Sequence, residues 1–525
     1  MHRSSLGPWS ILVLLVALSA AGCSPQAPTG GSSGTSAGSA LPSTAPLAKA
    51  ERSGPPPFRE FWEEHYFQGS KIGHTHGEYF HDVLDGEPIV RIQLSGTMTL
   101  KRSGQTIEQA MNDISWETPA GEVRKFRNSM FVAGAEQTTT GTVQNGRAKL
   151  MLETSGRSTE STLDWPAGTL GEFGIADWLA RTKPQTGASG KFLGFLPYFN
   201  QIVEFVLSAK QKEAVDVGGT RRDLLRIEIQ AQMPGGLKLD SVAWVDDQGE
   251  VWKSEYPAMQ QTTLRTTREQ ALKAGDPEAA VDIGAATKVP VSPALANPYE
   301  TKQVRYRVTL AGGDAAALFP AGDSQSVLRG NGGAAEIAVA ALRPDVPSLA
   351  TSPTSGPTDA DRLPNAWVQS DAPEVVRLAA TAAGTETDPW KAAVALEKSL
   401  RPQWKEQPLG TSFATAADAA RQLSGDCTEY AVLLCAMLRA RGIPARTAVG
   451  LVYVDHEEAF LYHMWTEAYF ADRWIPLDAA WGQGGTNAAY LKIAQTNLAG
   501  VDPLSAMLSV AQVMGRLKVE VLERK

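Results

Sequence analysis

A chain of 525 residues is too long for one compact core, so two to four domains are expected. Apolar residues make up 43% and charged residues 20%, the composition of an ordinary globular protein. The formal charge of −8, with no run of lysine or arginine to track phosphates, excludes a nucleic-acid binder.

His2 and Arg3 give a weakly basic start, followed by an apolar stretch from Ile11 to Ala21 and then Gly22-Cys23. The stretch is too short to span a bilayer as a mature helix and suits a signal-peptide core. Ala20-Ala21-Gly22-Cys23 resembles the lipobox of bacterial lipoproteins, with Ala20 where leucine is commoner. The resemblance implies cleavage before Cys23, lipidation of that residue and a periplasm-facing or cell-surface protein held at the envelope membrane. An ordinary signal peptide cut near Gly22 is the plainer reading. Each buried methylene of an acyl chain adds about 0.8 kcal/mol, so a multiply acylated Cys23 would anchor firmly. Residues 24–57 are rich in Ser, Gly, Ala, Pro and Thr and read as a flexible tether.

Residues 58–272 read as a β-rich domain. Ile89–Leu100, Thr106–Trp116, Val123–Val132 and Leu224–Gln230 alternate β-branched and aromatic residues. Turn residues punctuate them at Asp85-Gly86, Ser103-Gly104, Pro119-Ala120-Gly121, Asn145-Gly146 and Gln248-Gly249. One helix is expected near Leu170–Thr182. The meander resembles the large, open β-barrels of envelope lipoproteins and lipid carriers, in architecture only. Residues 273–298 read as a linker, 299–345 as a small β module with strands at Val304–Leu310 and Glu336–Ala341, and 346–364 as a second linker.

From residue 365 the pattern becomes helical. Glu374–Ala383 and Trp390–Leu400 are amphipathic, the second opened by Thr387-Asp388-Pro389, and Thr415–Leu423 is a third short helix. In Ser424–Gly450, Ser424 or Asp426 can cap a helix whose apolar residues Ala431, Leu434, Cys435 and Leu438 recur at helical spacing. Gly442 ends it and Pro444 prevents its restart. Cys427 therefore falls in the first turn, where unpaired N–H groups and the helix dipole favour the thiolate. Cys427 and Cys435 lie roughly 12 Å apart along the helix axis, too far for a disulfide. Cys435 reads as a core residue.

Leu461–Phe470 alternates as a strand, Ala471-Asp472 makes a tight turn, and Arg473–Leu477 returns, ending at Asp478. This hairpin brings His463 and Asp478 close, so that the carboxylate can accept Nδ1–H and orient the ring toward Cys427.

GDCTEYAVLLCAMLRARGIPAR followed by HMWTEAYFADRWIPLDAAWG resembles the transglutaminase-like superfamily. The resemblance covers residues 365–525 and implies a C-terminal α+β domain with a papain-like core. It also implies a Cys427 nucleophile, a His463 base and acid, and an Asp478 orienter. The whole is expected as an α+β multidomain protein: a large antiparallel, open-barrel-like domain, a small β module and the transglutaminase-like domain. For the oxyanion, the backbone N–H of Cys427 and the side chain of Gln422 are candidates. Trp465, Glu467, Trp474 and Trp481 read as packing or site-wall residues, and Arg446 as structural. His74, His76 and His81 could gather a metal, but a solvated strand face is the reading adopted, so no metal or cofactor is expected. The implied activity is acyl transfer on peptide or protein amides through a thioester, as peptidase, amidase or transglutaminase. Two alternatives stand: a non-catalytic peptide-binding scaffold, and an envelope lipid- or partner-binding protein acting through the β domain.

Overall fold

The computed structural model describes residues 56–525 except 103–104, 133–134, 155–156, 233–237, 276–280, 283, 285–286, 351–353, 406–413, 500–508 and 511–512. The signal-peptide segment with Cys23, nearly all of the 24–57 tether and the Ser103-Gly104 turn lie outside the described residues.

The N-terminal half is one antiparallel sheet of fourteen strands: β1 (Arg59–Phe67), β2 (Ser70–Leu84), β3 (Glu87–Arg102), β4 (Gln105–Glu117), β5 (Val123–Val132), β6 (Ala135–Gln144), β7 (Arg147–Thr154), β8 (Arg157–Asp164), β9 (Ser189–Leu196), β10 (Gln201–Val217), β11 (Thr220–Gln232), β12 (Lys238–Val245), β13 (Val251–Tyr256) and β14 (Gln261–Thr266). Successive strands pair as a meander, and β1 pairs with β14, which leaves β8 and β9 as the two edges. Asp85-Gly86 and Asn145-Gly146 both have positive φ at their two turn positions, the geometry that matches the twist of tight hairpins. Helix α1 (Glu172–Thr182) lies between the edges in sequence, and the Glu117 carboxylate accepts its Phe173 and Gly174 N–H groups at 3.2 and 3.0 Å. Leu170 exchanges backbone hydrogen bonds with Leu193 and Phe195 of β9, and the Trp165 and Phe195 rings meet at 4.8 Å. The sheet is thus a nearly closed barrel.

The remaining strands are β15 (Val289–Ser292), β16 (Gln303–Leu310), β17 (Gln325–Gly330), β18 (Ala334–Ala340), β19 (Ala445–Val454), β20 (Ala459–Phe470), β21 (Arg473–Leu477), β22 (Tyr490–Thr496) and β23 (Leu517–Arg524). They form one sheet in the order β17-β18-β16-β23-β15-β20-β19-β22, with β21 on β20. This corrects the expected linker and separate small module. The 273–298 segment contains β15, which pairs with both β20 and β23, and β16–β18 extend the same sheet. The physical reason is burial. β16 buries alternate residues, and its buried row Val304, Tyr306, Val308 and Leu310 joins the same apolar core as the C-terminal domain, so these strands share that core and do not enclose one of their own. The second expected linker, 346–364, is also tied down: Arg473 donates to the Val346 carbonyl, Trp474 Nε1 to the Ser355 carbonyl, and Ser348 and Thr354 to Asp323.

Three helices, α2 (Pro373–Ala383), α3 (Pro389–Leu400) and α4 (Ala416–Gln422), pack on a fourth, α5 (Cys427–Ala440), which lies on this sheet. The sequence pattern shows α5 with one apolar stripe. In the structure, every residue from Cys427 to Arg439 is buried, because α2, α3 and α4 pack on one side and β19 and β20 on the other. Such a central helix has no solvent face to keep polar. Among the described residues, no helix is long and apolar enough to cross a membrane.

Candidate active site

The start of α5 is built residue by residue. Asp426 caps it, its carboxylate accepting the Thr428 N–H at 2.9 Å and the Thr428 hydroxyl at 2.8 Å. Glu429 reaches back to the Asp426 N–H at 2.8 Å, completing a capping box, and also accepts the Ala414 N–H at 3.0 Å. Burial, then the neighbouring Asp426 charge, pushes the Glu429 carboxyl up to about 8. Gly425 has φ +130°, and a Cβ there would meet the Glu429 side chain at 2.6 Å, so only glycine fits this approach. Trp404 closes the outside, donating from Nε1 to the Gly425 carbonyl at 3.0 Å and stacking on Tyr430 at 3.8 Å. Cys427 is the first residue of the helix so framed.

The second part is the β20–β21 hairpin. Ala471 and Asp472 both have positive φ, giving the expected two-residue turn with Phe470 opposite Arg473. The ladder ends at Thr466 opposite Leu477, so Asp478 follows it directly and lies diagonally from His463. Their side chains meet: His463 Nε2 lies 2.6 Å from Asp478 Oδ2. This corrects the expected atom, since Nε2 and not Nδ1 faces the carboxylate. Nδ1 is buried and has no hydrogen-bond partner. Which ring nitrogen points at Asp478 depends on side-chain rotamers that spacing does not encode.

The Asp478 carboxylate is further held by two donors, the Tyr490 hydroxyl at 2.8 Å to Oδ2 and the Ala480 N–H at 3.0 Å to Oδ1. Tyr490 went unseen in the sequence, because β22 follows a loop whose length says nothing about which residue returns to the site. Helix and hairpin are joined by Thr466, whose hydroxyl donates to the Ala431 carbonyl at 2.9 Å, one turn along α5 from Cys427. Cys427, His463 and Asp478 are 3%, 2% and 3% exposed.

The residues read as packing, site-wall or structural make the following contacts. Trp465 lies against the His463 and Tyr490 rings and over Gly450. Glu467 is buried between Lys492 Nζ at 2.7 Å and Arg446 Nε at 2.9 Å. Burial raises its carboxyl, but the two cations outweigh burial and hold it below the usual carboxylate range. The Arg446 guanidinium lies 3.9 Å over the Trp474 ring. Trp481 meets the Tyr299 ring at 5.5 Å. Cys435 is fully buried, its thiol pushed up to about 11 by burial, and neither Cys427 nor Cys435 is in a disulfide. Gln422 is exposed at the end of α4, while Ser424, nearer Cys427 in sequence, is buried with no partner for its hydroxyl.

The three histidines of β2 do not converge. His81 stacks on Phe58 at 4.2 Å, while His74 and His76 stack on Trp62 at 6.0 and 4.0 Å. Among the described residues the one group able to gather a metal is Glu60, His76 and Glu78, which takes in only one of them.

A cysteine opening a buried helix, packed on antiparallel strands that bring together a histidine–aspartate pair, defines the papain-like class of α+β fold. Residues 376–479 match the family model of the transglutaminase-like superfamily, and the chain therefore carries a transglutaminase-like domain. Among solved structures, the chain is similar to a candidate cysteine protease from Cytophaga hutchinsonii, at 15% identity over 43% of this chain and 86% of that one, with a TM-score of 0.28. It is also similar to a β-barrel-like protein of a domain family of unknown function from Brucella abortus, at 13% identity, 39% and 94% coverage and a TM-score of 0.28. A third is a candidate protease from Parabacteroides distasonis, at 11% identity, 66% and 64% coverage and a TM-score of 0.18. No curated protein matches the chain.

Proposed function

We propose that the C-terminal domain is a cysteine acyl-transfer enzyme acting on peptide or protein amides. The observation that carries this reading is the 2.6 Å His463–Asp478 pair, whose other ring nitrogen is left with no partner, on the sheet against which the Cys427 helix packs. In the proposed reaction the Cys427 thiol gives its proton to His463 Nδ1, and the sulfur attacks the amide carbonyl. The tetrahedral intermediate then collapses as the C–N bond breaks, and His463 returns the proton to the leaving amine. A thioester results. Water or an amine attacks it, His463 takes that nucleophile's proton, and the sulfur departs. Asp478 steadies the imidazolium throughout. Water as acceptor makes the enzyme a peptidase or amidase, and an amine makes it a transglutaminase.

The test uses the full chain and a limiting alkylating probe near neutral pH, with adducts mapped by mass spectrometry. Selective labelling at Cys427, lost in His463→Ala, supports the reading. Labelling no faster than for a model thiol removes it. The near-complete burial of all three side chains favours a second reading, a non-catalytic peptide-binding scaffold, and that same slow labelling is its signature.

Export and lipid anchoring through Cys23 belong to the proposal as well, on the strength of the Ala20-Ala21-Gly22-Cys23 sequence. Metabolic incorporation of a clickable fatty acid, lost in Cys23→Ala, is the expected result. A wild-type chain that takes up none would remove the anchor. In the alternative assignment to the β domain, lipid co-purifies with a chain that shows no thiol reactivity.

A further inference from the structure

Asp478 begins the loop that joins β21 to β22, and a loop is a poor platform unless something fixes it. Its first residue and Gly485, seven residues further on, are held by one side chain from α3. Glu397 is fully buried and accepts the Asp478 N–H at 2.9 Å through Oε1. The same carboxylate accepts the Gly485 N–H, at 3.0 Å through Oε1 and 2.9 Å through Oε2. Gly485 has φ +99°, and a Cβ on it would meet the Arg343 guanidinium at 2.7 Å, so the loop passes close against the Arg343 side chain at this point. Two arginines complete the fastening from the carbonyl side: Arg401 donates to Trp481 at 3.1 Å and Arg343 to Thr486 at 2.9 Å.

A buried carboxylate is costly to keep unless it has work that an apolar residue cannot do. Here it gathers backbone donors seven residues apart, which no apolar side chain can replace. The first of these donors belongs to the residue that contacts His463.

From this geometry we infer that Glu397 is a positioning residue of the site: by clamping the Asp478 and Gly485 N–H groups it sets the place of the Asp478 carboxylate, and so the orientation of His463. The effect on reactivity rests on the acyl-transfer reading above. The effect on the histidine–aspartate hydrogen bond does not.

The test is Glu397→Gln in the full chain. Glutamine keeps the size but turns one acceptor into a donor facing backbone N–H groups. The primary readout is the low-field proton resonance of the His463 Nε2–H, observed with histidine-selective 15N labelling and assigned by its loss in Asp478→Asn. In folded Glu397→Gln, with unchanged circular dichroism, this resonance is expected to vanish or move upfield. Cys427 alkylation is expected to slow about 10- to 100-fold, the cost of a misplaced reacting group. A resonance unmoved in the folded variant, or missing from the wild type, overturns the inference. If Glu397→Gln does not fold, Glu397→Asp takes its place, drawing the same charge back by one methylene. A lost or shifted resonance in that variant supports the clamp, and an unmoved one overturns it. Wild-type Cys427 reacting no faster than a model thiol defeats the acyl-transfer reading alone, and the resonance still decides the role of Glu397.

Discussion

The Tyr490 hydroxyl and His463 Nε2 share a single acceptor, Oδ2 of Asp478, at 2.8 and 2.6 Å. One oxygen thus ties β22 to β20 across β19. The arrangement makes Tyr490 a support for the orientation of the imidazole as well as a core residue.

Tyr490→Phe removes that donor and leaves the packing. A loss of about 1 kcal/mol in stability is expected, the net value of a buried hydrogen bond. Cys427 alkylation is expected to slow several-fold. Urea melts and adduct kinetics on the same samples check both.

Asp478→Asn keeps the shape of the pair but cannot stabilise an imidazolium, and its amide can face the ring with a donor. Alkylation of Cys427 is expected to fall by at least about 100-fold, in line with such changes in histidine–aspartate sites. A folded variant that labels at the wild-type rate would show that the carboxylate is not used.

Glu429 gives a stability dependence on pH with a definite sign. Its folded carboxyl is raised to about 8 by burial, above the ordinary 4.5 expected when unfolded. Its contribution is therefore full below about 4.5 and is lost as pH rises through about 8. In that window it removes at most about 1.4 kcal/mol per pH unit. Glu429→Gln should flatten the stability–pH curve between those limits, measured by denaturant unfolding at several pH values.

Glu467→Ala strands Lys492 and Arg446 beside an emptied site in the sheet. Breaking a buried ion pair from one side costs about 3–5 kcal/mol. Because the folded Glu467 carboxyl is held below its ordinary value, its support is present above the unfolded value and fades as pH falls through the folded one. The variant should therefore lose most against wild type near neutrality and less in acid, as read from denaturant midpoints.

Local chemistry made much of this legible from sequence. Ser424 or Asp426 announces a capped helix start, Gly442-Ile443-Pro444 its end, and Ala471-Asp472 a tight turn, so Cys427 and the His463–Asp478 approach follow from neighbours a few positions away. What sequence hid is non-local. β16 pairs with β23 across more than two hundred residues, and alternation in VRYRVTL is equally compatible with a small module. Tyr490 and Glu397 reach the site from elements whose own patterns are ordinary. The facing nitrogen of His463 is a matter of rotamer, to which spacing is blind.

The place of β23 has one more effect. Residues 517–524 lie between β16 and β15, in the interior of the sheet rather than at its rim. On a ribosome, strands made more than two hundred residues earlier must wait for this segment to emerge before they can join. A premature stop shortly before Leu517 would therefore cut out a middle plank and leave two unpaired edges, where a clipped outer strand would leave one.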